Sequence, residues 1–397
     1  MRVLLLTPYS PLVFHDHAAQ DLAQGLVRAL KSRAELHVYS PSHGVGLGSK
    51  SFSVDGVTYH SDGYEQPARG AARLGKLPRT VREEWPSIST RRVLRLAHEI
   101  HPDIVHGEYV QTSAALLRLG PNFTRTITLH DLAMNVAFQR SASGDVARQA
   151  YRRHQDWMTV NLERKILRTV DHAFTLSSRD AKRATHLARD VSALRIGIDI
   201  PEQVWHLAAG PTLRLVFAGA LWRDANQQSA RHLAERVFPL IQAALPSAEL
   251  RIVGASPPES VRGLAQAPGI SVPGRVEDFD DEFRASSLVL APSMVDAGVL
   301  LKALRSMACG APTLLNNASA SPLDNLVGGE HALIANSPRE MADAAIDVLT
   351  HPLKASHLGK NARNYVAENF SWSGYADGML AGFGRAAAAR IARARSN

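Results

Sequence analysis

Ala291-Pro292-Ser293-Met294-Val295-Asp296-Ala297-Gly298-Val299-Leu300-Leu301-Lys302-Ala303-Leu304-Arg305-Ser306-Met307-Ala308-Cys309-Gly310-Ala311-Pro312-Thr313 follows directly on the apolar triplet Leu288-Val289-Leu290. The triplet reads as a buried strand, the small residues up to Gly298 as a turn, and residues 299–308 as a helix, with another strand at Thr313-Leu314-Leu315. A strand that ends in such a turn and opens a helix presents free backbone N–H groups and the positive end of the helix dipole. That arrangement can receive a diphosphate. Lys302, one turn into the helix, can supply a point charge to the same anion. A structural turn carrying a snorkelling lysine is the plainer alternative.

Working outward, the same cycle fills the second half of the chain. Strands read at 215–219, 250–253 and 270–272, a helix at 229–244, a turn at 254–258 and a further helix after Pro338. The first half repeats it. Strands read at 3–6, 35–39, 104–106, 126–129 (before His130-Asp131) and 172–176 (before Ser177-Ser178). Between them lie helices at 18–32, with Leu22, Leu26, Val27 and Leu30 on one face, and at 91–100. Strands alternating with helices imply parallel sheets covered on both faces. The fold class expected is α/β, as two Rossmann-like doubly wound domains facing a cleft. Their expected bounds are 1–205, 206–375, and a C-terminal helix or tail at 376–397 packing back towards the first domain.

The chain has 397 residues, 45% hydrophobic and 21% charged, the balance of a globular protein of two domains. The apolar run after Met1 stops at Pro8-Tyr9-Ser10-Pro11, too soon for a signal-peptide core or a membrane span, so a cytoplasmic location is expected. One cysteine, Cys309, excludes an internal disulfide and suits a small buried position. Of the net charge of +8, all lies in residues 1–200, which hold 27 Lys and Arg against 19 Asp and Glu. That half therefore suits an acidic partner. Arg69, Arg73, Lys76, Arg79, Arg82, Arg91, Arg92 and Arg95 surround Leu74, Leu77, Val81 and Trp85. The pattern predicts a basic rim over 69–95 for an acidic acceptor or for peripheral contact with an anionic membrane at its inner face, with a solvated surface loop as the plainer alternative; nucleic acid is not expected.

Standard hydrolase, P-loop and zinc-protease signatures are absent from the sequence. Asp280-Asp281 reads as acidic residues at a helix start rather than as a metal pair. No metal or other cofactor is expected.

The 291–313 segment resembles the donor-site signature of the GT4 glycosyltransferase family, in the branch written G-[TV]-[RK]-x-K-x-L-E-A-M-A-x-G-x-P. The likeness extends over Phe217-Ala-Gly-Ala-Leu-Trp-Arg-Asp-Ala-Asn226, Arg251-Ile-Val-Gly-Ala-Ser-Pro-Pro258, Gly274-Arg275-Val276, Gly328-Gly329-Glu330-His331 and Asn369-Phe370-Ser371-Trp372. In the first half it rests on His101-Pro102-Asp103-Ile104-Val105-His106, Thr128-Leu129-His130-Asp131 and Ser177-Ser178. The resemblance implies a GT-B architecture and a metal-independent retaining glycosyltransferase. In such an enzyme the leaving diphosphate takes the acceptor's proton, and the protein supplies positioning and electrostatics. It implies Lys302 and Arg223 as cations on that diphosphate and His130 beside the donor sugar. It further implies donor contacts from His17, Ala18, Gly219, Arg275, Val276, Gly298, Val299 and Arg305. The acceptor, acidic, lipid-linked or a small molecule, is not named by it.

The sequence departs from the family at three places. The glycine pair of the first loop reads Ala18-Ala19, the first motif glutamate falls on Ala297, and the second on Arg305. A guanidinium cannot accept hydrogen bonds from a ribose diol. Arg305 lies one turn beyond Lys302, and the expectation is that both look into the donor pocket, favouring a donor that tolerates deoxyribose, such as a dTDP-sugar. The alternative is that Arg305 turns outward onto a surface carboxylate and the protein is a catalytically silent partner of another transferase.

Overall fold

The structure, a computed structural model, describes residues 1–12, 18–43, 51–63, 75–137, 146–206, 213–296 and 298–396. They form two compact units. One contains the described residues up to Gly197 together with the chain from Trp372 onward; the other runs from Ile198 to Ser371. The divisions at 197/198 and 371/372 stand beside the 205/206 and 375/376 expected from the sequence.

Among the described residues the first unit has eight strands: β1 (Arg2–Leu6), β2 (Glu35–Tyr39), β3 (Ser51–Val54), β4 (Val57–His60), β5 (Ile104–Glu108), β6 (Arg125–Leu129), β7 (His172–Thr175) and β8 (Val191–Ala193). Their order across the sheet is β3-β4-β2-β1-β5-β6-β7-β8, parallel except for β3 against β4. The central strands β1, β5 and β6 are buried along nearly their whole length because helices cover both faces. Val3, Leu4, Leu5 and Leu6 are all fully buried, each contributing on the order of 2 kcal/mol.

The helix Trp372–Ser396 belongs to this unit. Its first residue lies where only glycine leaves room: a Cβ at Gly25 or Gly197 would come within 1.9 Å or 2.2 Å of the Trp372 ring. Farther along, Phe383 is buried, and Arg390 Nε donates to Thr124 Oγ1 at 2.8 Å.

In the second unit β9 (Leu213–Ala218), β10 (Ala248–Val253), β11 (Ile270–Gly274), β12 (Leu288–Leu290), β13 (Thr313–Leu315) and β14 (Leu333–Ile334) form a parallel sheet ordered β11-β10-β9-β12-β13-β14. The helix read at 229–244 begins earlier, as Asp224–His232. It continues through a π turn, Leu233–Val237, into Phe238–Ala244. The wide turn lies just before Pro239, which has no N–H to give a regular helical ladder.

Two of the apolar residues expected in the basic rim need correcting, while Lys76, Arg91 and Arg95 are exposed. Val81 and Trp85, expected beside its cations, are buried in the core of the first unit, and Arg79 pairs with Glu83 at 2.6 Å. Their apolar surface is spent on packing and is not offered to lipid. Arg69, Arg73 and Leu74 lie outside the described residues. Among the described residues no helix is long and apolar enough to cross a membrane.

Candidate active site

In a doubly wound sheet, ligands bind beyond the carboxyl ends of the strands, where the strand order reverses. In the second unit that point lies between β9 and β12. The chain leaves β9 for β10 and β11 on one side and returns to β12 on the other. β12 leads through the 291–300 turn into the helix Leu301–Ala308, with Lys302 in its first turn. Asn316 braces that turn: its Oδ1 accepts from Ser293 N at 3.0 Å and its Nδ2 donates to Ser293 O at 2.8 Å.

Lys302 Nζ donates to Asn226 Oδ1 at 2.9 Å and lies 4.1 Å from the centroid of the Phe217 ring. Asn226 is oriented in turn by donating from Nδ2 to Ala220 O at 3.0 Å. Gly219 leaves it room, since a Cβ there would come within 2.9 Å of the Asn226 side chain. Gly254 closes the floor with φ +151°; a Cβ on it would meet Gly219 O at 1.7 Å. Burial, with the Arg223 guanidinium adding to it, brings Lys302 down to about 7. Its charge is therefore responsive to an arriving anion. Arg223 precedes the helix Asp224–His232 and is exposed, its guanidinium 5.7 Å from the Trp222 ring centroid.

The other expected donor contacts divide. Gly298 is buried and Val299 half-buried in the turn before the helix; Arg275 is exposed, and Val276 packs against the core. His17 and Ala297 lie outside the described residues, and Ala18 is the first residue of the helix Ala18–Leu30. Arg305 does not join Lys302 as expected. Its Nε donates to Asp280 Oδ1 at 2.9 Å and its NH2 group to Asp278 Oδ1 at 3.2 Å. Two carboxylates at the start of the helix Phe279–Arg284 attract the guanidinium more strongly than an apolar-floored pocket already holding a cation. Among the described residues no three or more of His, Cys, Asp and Glu gather as a metal site.

The first unit has its own switch point, between β1 and β5. Glu108 ends β5, Tyr109 follows it, and His130 follows β6. Glu108 is buried and accepts from His106 Nε2 at 2.9 Å and from His130 Nε2 at 2.5 Å. Burial alone would raise its carboxyl, but the two imidazoles reverse that and hold it at about 2. A carboxylate only accepts, so the contacts make Nε2 of both histidines N–H donors. The Tyr109 ring stacks on His130 at 3.7 Å with an interplanar angle of 12°. To do so its backbone takes φ 65°, ψ 156°, a region that is essentially glycine's. Asn226, Asn316 and Glu108 escape a sequence reading, because their roles depend on which strands lie side by side.

Residues 212–351 match the family described as Glycosyl transferases group 1. The D-inositol 3-phosphate glycosyltransferase of Rhodococcus opacus is 28% identical over 200 residues, 48% of this chain and 43% of that protein. The chain thus spans less than half the length of the curated relatives it matches. Among solved structures, the sucrose-phosphate synthase of Thermosynechococcus elongatus superposes with a TM-score of 0.71 at 17% identity, over 96% of this chain and 98% of that one. The Anabaena protein HepE, in complex with UDP and glucose, does so with 0.62 at 14% identity, over 96% and 98%. The two sheets define a GT-B fold. Residues 212–351 are thus similar to the group 1 glycosyltransferases, and the chain shares its fold with GT-B structures.

Proposed function

We propose that the protein is a retaining glycosyltransferase that moves a sugar from a nucleoside-diphosphate sugar to an acceptor hydroxyl. The observation that carries this reading is the Lys302 ammonium, held by Asn226 and Phe217 at the switch point of the matched domain. In the transfer, the bond from the anomeric carbon to the diphosphate oxygen breaks and the acceptor oxygen bonds the same carbon from the same face. The acceptor's proton passes to the departing phosphate oxygen, so no protein nucleophile is required. Lys302 and Arg223 neutralise the diphosphate, the contribution that grows as charge develops. His130, fixed by Glu108 and Tyr109, is the group the first unit offers to a substrate hydroxyl.

A UDP-sugar is the donor class supported by the likeness to the UDP complex of HepE. The dTDP preference loses its basis, because it required Arg305 free in the pocket. The names of the relatives and the cationic surplus of residues 1–200 support an anionic small acceptor of the polyol-phosphate class. A silent partner of another transferase is the second reading. It is favoured by Arg305, which offers a ribose diol no acceptor where the family motif has a carboxylate.

A thermal-shift series with UDP, GDP, dTDP and ADP, followed by release of nucleoside diphosphate from a UDP-sugar panel with polyol phosphates, tests the proposal. UDP is expected to raise the melting temperature, and transfer to need both substrates. UDP binding without turnover would favour the silent reading, and no binding by any nucleotide would overturn the transferase one.

A further inference from the structure

The Glu163 carboxylate is fully buried on the helix Val146–Thr169, on the face that also buries Val160, Ile166 and Leu167, and no step of the proposed transfer uses it. Ala133 N–H donates to its Oε2 at 2.5 Å and Met134 N–H to its Oε1 at 3.3 Å. These two residues open the short helix Ala133–Val136, which begins three residues beyond His130. Leu132, between them, is buried in the core. A second tie holds the next residue: Asn135 Nδ2 donates to Asp180 Oδ1 at 2.8 Å. Asp180 is itself fixed, its N–H donating to Ser177 Oγ and its carboxylate accepting from Arg179 Nε, both at 3.1 Å.

We propose that Glu163 is a positioning residue for His130, gripping the Ala133 and Met134 N–H groups and so fixing the turn from which the imidazole projects. The inference rests on the transferase reading only for the part His130 plays there. An apolar side chain would fill the same space, but it would leave two N–H groups without a partner in a buried setting. Leu132 and Asn135 pin the turn through their side chains, and Glu163 meets its backbone with both carboxyl oxygens.

The hold is sensitive to pH. Burial raises Glu163 to about 7, against the pull of its two backbone N–H bonds, and the Asp131 and Asp180 carboxylates add to the rise. Arg179 and Arg183 lie beside Asp180 and balance it in part. A carboxyl whose value is raised in the folded turn favours that fold when protonated. Its contribution is complete below about 4.5 and is lost as pH climbs through about 7.

Amide hydrogen exchange on the full chain without ligand tests this, with β5 and β6 as internal reference. In the wild-type protein, protection of 130–137, corrected for intrinsic rates, should fall between about pH 4.5 and pH 7 by up to about tenfold per pH unit and level off above pH 7, while the strands hold steady. Glu163→Gln should remove that dependence and lower protection throughout. With substrate, it should lower kcat about tenfold while leaving the donor KM within about twofold, since the donor nucleotide is held elsewhere. Equal protection of 130–137 in wild type, Glu163→Gln and Glu163→Ala at every pH would overturn the proposal, as would lost protection with unchanged kcat. The wild-type pH series decides even if a variant fails to fold. Because the exchange experiment needs no turnover, an inactive wild type would sink the transferase reading separately.

Discussion

Lys302 Nζ and Asn226 Oδ1 meet at 2.9 Å although 76 residues separate them, one on the helix after β12 and the other on the helix after β9. The contact exists because β9 and β12 are neighbours in the sheet, so the two helices start side by side. An uncharged amide beside an ammonium orients it without neutralising it, leaving the charge for an anion.

Lys302→Ala is therefore expected to lower turnover by about 100-fold or more, or ~3 kcal/mol, the scale of a removed oxyanion donor. Asn226→Ala keeps the charge but frees its position, and a loss of about tenfold is expected. Nucleoside-diphosphate release gives the rates, and thermal melting checks that both variants stay folded. Unchanged turnover in Lys302→Ala would remove this residue from the chemistry.

Lys302 should also take up a proton when the donor binds. At pH 8 the free enzyme, with this ammonium near 7, holds it largely neutral; a diphosphate beside it restores the charge. Without donor, its stability contribution is complete above about 10.5 and lost as pH falls through about 7. Calorimetry in buffers of different ionisation enthalpy should show uptake approaching one proton at pH 8, declining towards pH 6, and absent in Lys302→Ala. Buffer-independent binding heats in the wild type would contradict it.

Arg305→Glu offers a different readout. The substitution places a third carboxylate against Asp278 and Asp280, where the guanidinium now pairs with both. The pairs are partly exposed, so the expected cost is modest, about 1 kcal/mol in denaturant unfolding. Donor affinity should not improve. A gain in affinity for ribonucleotide sugars would mean that Arg305 reaches the pocket after all.

Tyr109 inverts the usual ranking of alanine over glycine. With φ 65° and ψ 156° it holds a conformation that costs a side-chain-bearing residue about 1–3 kcal/mol. Tyr109→Ala loses the stack on His130 and keeps the strain, whereas Tyr109→Gly loses the stack and relieves it. Urea unfolding should find the glycine variant more stable than the alanine one, by about 1 kcal/mol. The opposite order would show that this backbone carries no strain.

Much of this is legible in the sequence where the signal is local. Ten of the fourteen described strands read from the sequence, most of them as short apolar runs, while β3, β4, β8 and β14 do not, and Lys302 is visible from the turn and helix around it. The β3–β4 hairpin is a missed local signal: Asp55-Gly56, with φ 51° and 78°, is a two-residue turn whose sequence calls for positive φ twice. The helix Val146–Thr169 escapes because it is polar nearly all round and buries only residues such as Val160, Leu162 and Ile166 towards its end. Arg305 misleads for the opposite reason. Helical spacing places it near Lys302, but its partners come from the start of another helix, which periodicity cannot reveal.

Glu108 gives the last prediction. Its two oxygens accept from His106 Nε2 and His130 Nε2, while His106 Nδ1 lies 2.8 Å from Thr126 Oγ1, so both ends of that ring are engaged. Glu108→Gln keeps the shape but supplies one acceptor and one NH2 group. The amide can satisfy only one of the two imidazole N–H donors, and its own donor must face the other ring. His106 is held at its far end by Thr126, so His130 should be the ring that changes, moving its proton to Nδ1 or turning away from Tyr109. Nitrogen NMR of labelled histidine should show the His130 shifts exchanging between Nδ1 and Nε2 character, with transfer reduced about tenfold or more. Stability should follow pH in a defined way. The carboxyl is lowered to about 2, so its contribution is present above about 4.5 and lost as pH falls towards 2. Wild type should be more stable than Glu108→Gln at pH 7, and the gap should close across that acid window. A gap that stayed constant from pH 7 to pH 2, with the His130 nitrogen shifts unmoved, would show that the carboxylate holds neither the charge nor the ring.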